Sequence, residues 1–363
     1  MLKSVHFEGI KSLLNVTIDL ERFTVLVGPN GCGKSTVLDQ IAGLVQTTRP
    51  NSGSAHVLGA AGTALERLGV PNLGTIGRGT PLHMLATDTA GGQLDIRINL
   101  GNPGTWYDRA SFEARTTGLT AALEIKGAKG GRPAFEALVN SLGWGVQRLA
   151  LSPEALREPS PVDAVELEAS GYGLATVLKD LAGDDTPAYL ELQADLRRVV
   201  PAFRQLKFGK VQAGGSNPGQ RFTLELVMQQ GQMPVGQVSD GTLLALALLT
   251  ATHDRALPTL ILMDDIDHGL HLSAQYQIIE AIRRVMAVRQ DLQVVCTTHS
   301  PTLLDAFKPE EVRVMNLDAD GHTVVRPLTS MPDFAKHRRG LQTGELWASM
   351  GESWVTEGVT GGG

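Results

Sequence analysis

The stretch Gly28-Pro29-Asn30-Gly31-Cys32-Gly33-Lys34-Ser35-Thr36 holds the chain's densest chemistry. Its Gly-x-x-x-x-Gly-Lys-Ser spacing is that of a phosphate-binding P-loop. Glycines let a backbone wrap with its amides turned inward, forming an anion nest. A helix opening after Gly33 adds the partial positive charge of its N-terminus. Gly28, Asn30, Gly31, Cys32, Gly33, Lys34, Ser35 and Thr36 are therefore candidate nucleotide contacts. Lys34 would reach the β- and γ-phosphates, and the Ser35 hydroxyl would sit on Mg2+. The implied cofactors are ATP and Mg2+.

Three more stretches suit the same chemistry. Leu260-Ile-Leu-Met-Asp264-Asp265 is an apolar run ending in carboxylates, the Walker B pattern. An acid at the end of such a strand can hold Mg2+ directly or through water, so Asp264 is a candidate metal ligand beside Ser35. Asp265 stands where a base orienting the attacking water would sit. Gln293-Val-Val-Cys-Thr-Thr-His299 ends a second apolar run in a histidine able to hydrogen-bond a γ-phosphate. Ser239-Asp240-Gly241 precedes an apolar helix and can both cap it and offer N–H groups to a phosphate. Lys34, Asp265 and His299 are the candidate catalytic residues.

The surrounding patterns supply elements to position these groups. Phe23 to Val27 reads as a buried strand, and Val37, Leu38, Ile41 and Leu44 recur at helical spacing. Leu2 to Phe7 and Val16 to Leu20 read as strands around a turn over Gly9 to Leu14. Strand-like runs follow at Leu82 to Thr87, Leu94 to Leu100 and Ala121 to Ile125, divided by glycine-rich turns. Arg49 to Gly62 reads as a loop and Ala134 to Leu142 as a helix. Val146 to Leu151 reads as a strand and Ser152 to Pro161 as a proline-punctuated connector. Helices are predicted over Gly173 to Leu181, Pro187 to Val200, Leu243 to Thr252 and Ser273 to Arg289. Strands are predicted over Arg204 to Gln212, Arg221 to Gln229, Thr259 to Met263 and Leu292 to Thr297. Strands alternating with helices favour a mostly parallel sheet.

Composition narrows the classes. The chain has 363 residues, 42% hydrophobic and 19% charged, enough for a large core and too apolar for disorder. A net charge of -6 gives no global attraction to nucleic acid. The two cysteines, Cys32 and Cys296, lack the spacing of a zinc site or a disulfide framework. There is no signal-peptide pattern and no apolar run of membrane-spanning length, so a soluble cytoplasmic protein is expected.

The order P-loop, Ser-Asp-Gly, Walker B, His is that of ABC-type ATPases. Gly-Pro-Asn-Gly-Cys-Gly-Lys-Ser-Thr, Val-Ser-Asp-Gly-Thr, Leu-Met-Asp-Asp-Ile-Asp-His-Gly-Leu-His and Thr-Thr-His-Ser-Pro resemble the RecF/SMC-like branch. They are closer still to stand-alone AAA-family ATP-binding proteins related to the OLD-family head. The resemblance is strong over residues 1–45 and 235–330. It implies an α/β P-loop NTPase fold: an ABC-ATPase-like head with a mostly parallel sheet, an antiparallel β subdomain and an inserted helical lobe. The implied domains are a core of 1–50 with 235–330, an inserted lobe of 51–234, and a tail of 331–363 whose end is expected to be disordered.

The resemblance also implies a mechanism. Two heads would form a homodimer sandwiching two ATP molecules, each between one P-loop and the other head's Ser239-Asp240-Gly241. His299 would be the switch histidine. The family usually carries Glu where this chain has Asp265, which implies slow hydrolysis, a base shifted to Asp267, or a nucleotide-held dimer with little turnover. Too few residues follow His299 for a TOPRIM nuclease, so a separate effector chain, nuclease-like and part of an anti-phage system, is expected. Two other readings stand beside this ATPase: an ATP-dependent DNA clamp using Lys207 and Lys210 on one strand face with Lys336-His-Arg-Arg339, and an ATP-locked scaffold. The glutamine that links γ-phosphate to the helical lobe is not identified; Gln93 lies within a strand-like run.

Overall fold

The computed structural model describes residues 1–46, 82–90, 93–99, 109–116, 119–125, 145–163, 166–213, 219–254 and 259–357. The loop expected after residue 49, the helix expected over 134–142, several glycine-rich turns and the last six residues lie outside these. In chain order the described elements are β1 (Leu2–Ile10), β2 (Leu13–Asp19), β3 (Phe23–Val27), α1 (Lys34–Gln46), β4 (Leu82–Asp88), β5 (Gln93–Asn99), β6 (Arg109–Thr116), β7 (Leu119–Ile125) and β8 (Val146–Leu149). Next come α2 (Pro153–Arg157), β9 (Ser160–Pro161), α3 (Leu174–Asp184), α4 (Thr186–Val199), β10 (Phe203–Ala213), β11 (Gly219–Met228), β12 (Gly231–Pro234), α5 (Asp240–His253), β13 (Leu260–Met263) and α6 (Leu272–Val288). The chain continues through β14 (Gln293–Thr297), α7 (Pro301–Leu304), β15 (Val312–Leu317), β16 (Thr323–Pro327), α8 (Phe334–His337), α9 (Thr343–Met350) and α10 (Ser353–Thr356).

The chain divides into two compact units, Met1–Val146 with Gln293–Gly363, and Gln147–Leu292. The first unit holds an antiparallel sheet in the order β2-β1-β4-β5-β6-β7. It also holds the order β16-β15-β3-β14, in which β3 runs parallel to both β14 and β15. Every residue of β3 and of β14 is buried, as expected of parallel strands covered on both faces. Phe23 meets Phe307 edge-on with centroids 4.9 Å apart, anchoring the start of β3. The Gln293 side chain binds both the amide and the carbonyl of Leu2, at 2.8 Å each, and so fixes β1 at the start of β14.

The second unit is mostly helical. From Thr242 to His253, α5 is buried on every side, which suits its run of Leu, Ala and Thr. Each fully buried leucine there contributes about 1.5–3 kcal/mol. A small antiparallel sheet, β10-β11-β12 with β9 on β11, completes the unit.

Several expectations need correction. The first hairpin is tighter than the Gly9 to Leu14 turn predicted: the strands run to Ile10 and restart at Leu13, with Lys11 at φ 51. The connector before Pro161 contains α2, capped by the Ser152 hydroxyl. Lys207 and Lys210 do not share a strand face. They are three residues apart in the regular β10–β11 ladder, and side chains alternate with period two. Lys207 bonds Gln232, whereas Lys210 lies over the Phe222 ring. β6, β12, β15 and β16 are additions to the sequence reading.

Candidate nucleotide site

In the first unit, β3 delivers the chain into the glycine loop and α1 leaves it. Gly28, Gly31 and Gly33 take φ of +148°, +79° and +102°, a region that side chains other than glycine rarely enter. A Cβ on Gly28 would lie 2.1 Å from the Met315 carbonyl oxygen. At Gly31 nothing lies within 4 Å of such an atom, and Pro29, Asn30 and Gly31 are exposed. The loop is thus packed at its base and open at its rim.

Lys34 is 6% exposed, and its ammonium donates to the carbonyls of Gly28 and Pro29, both at 2.9 Å. Burial pushes the neighbouring Cys32 thiol up from its ordinary pKa despite the opposing charge of Lys34. Ser35 is exposed and Thr36 half-buried. No carboxylate stands in the first turn of α1, so nothing there opposes its positive end.

Two hydroxyls missed by the sequence reading brace the loop from behind. Thr323, at the start of β16, donates to the Cys32 carbonyl at 3.0 Å, and its hydroxyl lies 2.8 Å from that of Ser12. Ser12 is at the β1–β2 turn, and its carbonyl accepts from the Thr323 amide at 2.7 Å. No local motif marks either residue. The same unit places exposed His299 just past β14, whose neighbour Thr298 donates its amide to Leu26 of β3 at 3.3 Å.

The second unit brings Asp264, Asp265 and Ser239-Asp240-Gly241 onto its own elements. The Asp264 amide donates to the Leu149 carbonyl at 3.3 Å, setting the carboxylate past the end of β13. Arg148 lies 2.8 Å from Asp264 Oδ2, with both side chains largely buried. Asp265 is exposed and left-handed, φ 44, and its carbonyl accepts from the His268 amide. Aspartate tolerates that region better than most side chains. A cavity of about 300 Å³ adjoins both carboxylates, walled by Leu149, Leu244, Met263 and Ile266, with His268 also lining it.

Ser239 caps α5 by accepting from the Thr242 amide at 3.4 Å. Gly241 has a packing reason to be glycine: a Cβ would lie 2.7 Å from the Gly269 carbonyl oxygen. His271 caps α6 through the Ser273 amide at 3.4 Å.

The donor sets suit the implied ligands. An ammonium, hydroxyls and helix-start amides form a cradle for a polyanion. The Ser35 hydroxyl of the first unit and the Asp264 carboxylate of the second are each, taken separately, a hard oxygen ligand of the kind Mg2+ takes. These features define a P-loop NTPase with an α/β head of mixed but parallel-dominated sheet. No described helix is long and apolar enough to cross a membrane.

Residues 121–305, about half of the chain, match the family described as "AAA domain, putative AbiEii toxin, Type IV TA system", and residues 4–63 match a second AAA-domain family. The zinc import ATP-binding protein ZnuC of Alcanivorax borkumensis is 30% identical over 209 residues, 55% of this chain and 69% of that protein. The sn-glycerol-3-phosphate import ATP-binding protein UgpC of Burkholderia pseudomallei is 33% identical over 150 residues, 40% of this chain and 37% of its own length. Among solved structures, an SMC head bound to the C-terminal winged-helix domain of ScpA superposes with a TM-score of 0.54 at 13% identity, covering 90% of this chain and 96% of that one. The chain belongs to the AAA-domain family and is an ABC-type ATPase; with the SMC head it shares the fold.

Proposed function

We propose that this ATPase works as an ATP-gated homodimer. Each Mg2+-bound ATP is gripped by the P-loop of one copy and closed over by Ser239-Asp240-Gly241 of the other. Lys34 and the amides from Gly28 to Thr36 hold the phosphates. Ser35 and Asp264 hold Mg2+, which supplies charge neutralisation at the phosphates. Asp265 orients the attacking water, and His299 contacts the γ-phosphate. The core of 1–50 with 235–330 carries this chemistry, 51–234 is its inserted lobe and 331–363 its tail.

The observation that carries the reading is the glycine loop, packed on Met315 and Thr323 at its base, open at Gly31, and heading a helix free of first-turn acid. Closure of the dimer regulates a separate effector chain, nuclease-like and acting in anti-phage defence in the cytoplasm. The matched family's description, "putative AbiEii toxin, Type IV TA system", supports an effector relationship. Turnover is slow, because Asp265 is one methylene shorter than glutamate, and a misplacement of about 1 Å can cost on the order of a hundredfold in rate.

Light scattering of the full chain with and without Mg2+ and a non-hydrolysable ATP analogue tests the dimer. Ser239→Arg should bind the analogue yet stay monomeric. A dimer that forms equally well in that variant would refute the sandwich. DNA clamping has one supporting observation, the exposed Lys336, Arg338 and Arg339 around α8. It requires salt-sensitive DNA binding that is lost when both arginines are changed.

A further inference from the structure

The two helix starts assigned to phosphate differ in charge. α1 has no acid in its first turn, but α5 carries Asp240 there. An aspartate at that place stabilises its own helix through the dipole. It also puts a negative charge where a triphosphate would arrive, and like charges repel, by about 1 kcal/mol at 4 Å in water and more once water is excluded.

Arg157, the last residue of α2, answers that charge. Its Nη2 donates to Asp240 Oδ1 at 2.5 Å and to the Val238 carbonyl at 2.8 Å. Its Nη1 donates back to the Pro153 carbonyl at 3.1 Å, which fixes the fork. The base of the fork is fixed as well: Leu156 is buried, and a Cβ on Gly171 would strike its side chain at 2.4 Å. The pair spans 83 residues of sequence, so no local pattern reveals it.

We propose that Arg157 is a positioning and charge-compensating residue for the start of α5. By neutralising Asp240 and holding Val238, it lets that end accept the triphosphate carried by a second copy. The inference rests on the two-copy reading above and adds a residue to it. Arg157 acts through Asp240 and does not touch the nucleotide.

The test uses the full chain with Mg2+ and a non-hydrolysable ATP analogue. Self-association is read by sedimentation equilibrium, and affinity for a fluorescent ATP analogue is read separately. Arg157→Gln should weaken ATP-dependent association on the order of tenfold, more than it weakens ATP affinity. Asp240→Asn alone should associate at least as well as the parent. The double variant should return to within about threefold of Asp240→Asn, because no charge is left to compensate. Arg157→Lys should keep most of the association.

If the double variant remains as weak as Arg157→Gln, Arg157 is only a brace on Val238 and the charge role fails. If Asp240→Asn is itself as weak as Arg157→Gln, compensation is again refuted, independently of whether Arg157→Gln folds well. If the parent binds the analogue and stays monomeric, the two-copy reading falls first and this role falls with it.

Discussion

Arg148 holds the carboxylate of Asp264, with Nη2 at 2.8 Å from Oδ2, while its other terminal nitrogen donates to the Leu149 carbonyl at 2.6 Å. The proposed metal ligand thus has a cation bound to it already. A guanidinium on that carboxylate would oppose the binding of Mg2+ to it. Arg148→Met should therefore lower the Mg2+ concentration at half-maximal analogue binding by roughly threefold to tenfold. A Mg2+ titration with the fluorescent analogue measures this. A rise in the midpoint would show that Arg148 aims Asp264 for the metal.

Asp265 occupies the left-handed region, φ 44. Placing a glutamate here is therefore more than a change of length. Asp265→Glu should destabilise the protein by about 1 kcal/mol, and Asp265→Asn by much less, since asparagine shares aspartate's tolerance. Urea denaturation separates the two. Phosphate release should fall about a hundredfold or more in Asp265→Asn if this carboxylate is the base.

Lys34 ties the glycine loop through the Gly28 and Pro29 carbonyls. Lys34→Ala should lose analogue binding by on the order of a hundredfold or more, since it removes both the phosphate cation and the tie. Titration with the fluorescent analogue checks this. Unchanged affinity and turnover would contradict the phosphate role.

Asp195, itself buried, sits at the centre of a knot. It accepts from Arg284 at 2.7 Å, lies 3.1 Å from His253 Nε2, and also pairs with Arg198. Burial alone would raise its pKa. The hydrogen bonds from His253 and Arg284 and their charges outweigh that and hold it below the ordinary 3.8. A depressed folded-state pKa means stability that is complete above the unfolded value. It is lost as pH falls below about 4, through the folded one. Asp195→Ala should cost about 1–3 kcal/mol at neutral pH, because it leaves buried His253 without this partner while the half-exposed Arg198 and Arg284 can turn to water. Its stability should also respond less to acid below pH 4, as urea midpoints across that range would show.

Gly241→Ala should destabilise the protein by about 1–3 kcal/mol even without nucleotide, because the new methyl meets the Gly269 carbonyl. Thermal melts of the nucleotide-free variant decide this. An unchanged melt would leave phosphate approach as the reason for the glycine.

What could be read from the sequence was local. Strand, glycine loop and helix follow one another from Phe23 to Gln46, and apolar runs ending in Asp264 or His299 declare their own ends. The burial of α5 was equally legible in its composition. The partners of these groups were not. Arg148 meets Asp264 across 116 residues and Arg157 meets Asp240 across 83, through side chains that carry no periodic signal. The knot of Asp195 with His253 and Arg284 is hidden for the same reason. β15 and β16 were missed because Val312 to Pro327 is broken by a polar turn at Asp318 to His322 and carries no recognisable motif.

The back wall of the glycine loop comes from Met315 and Thr323, nearly three hundred residues downstream of Gly28 and Cys32. During synthesis that wall emerges long after the glycine motif itself. A nascent chain halted before β15 would carry the whole glycine motif without the surface that shapes it. The motif and the surface that shapes it are thus encoded far apart, and a chain cut before β15 should lose nucleotide affinity although every glycine is present.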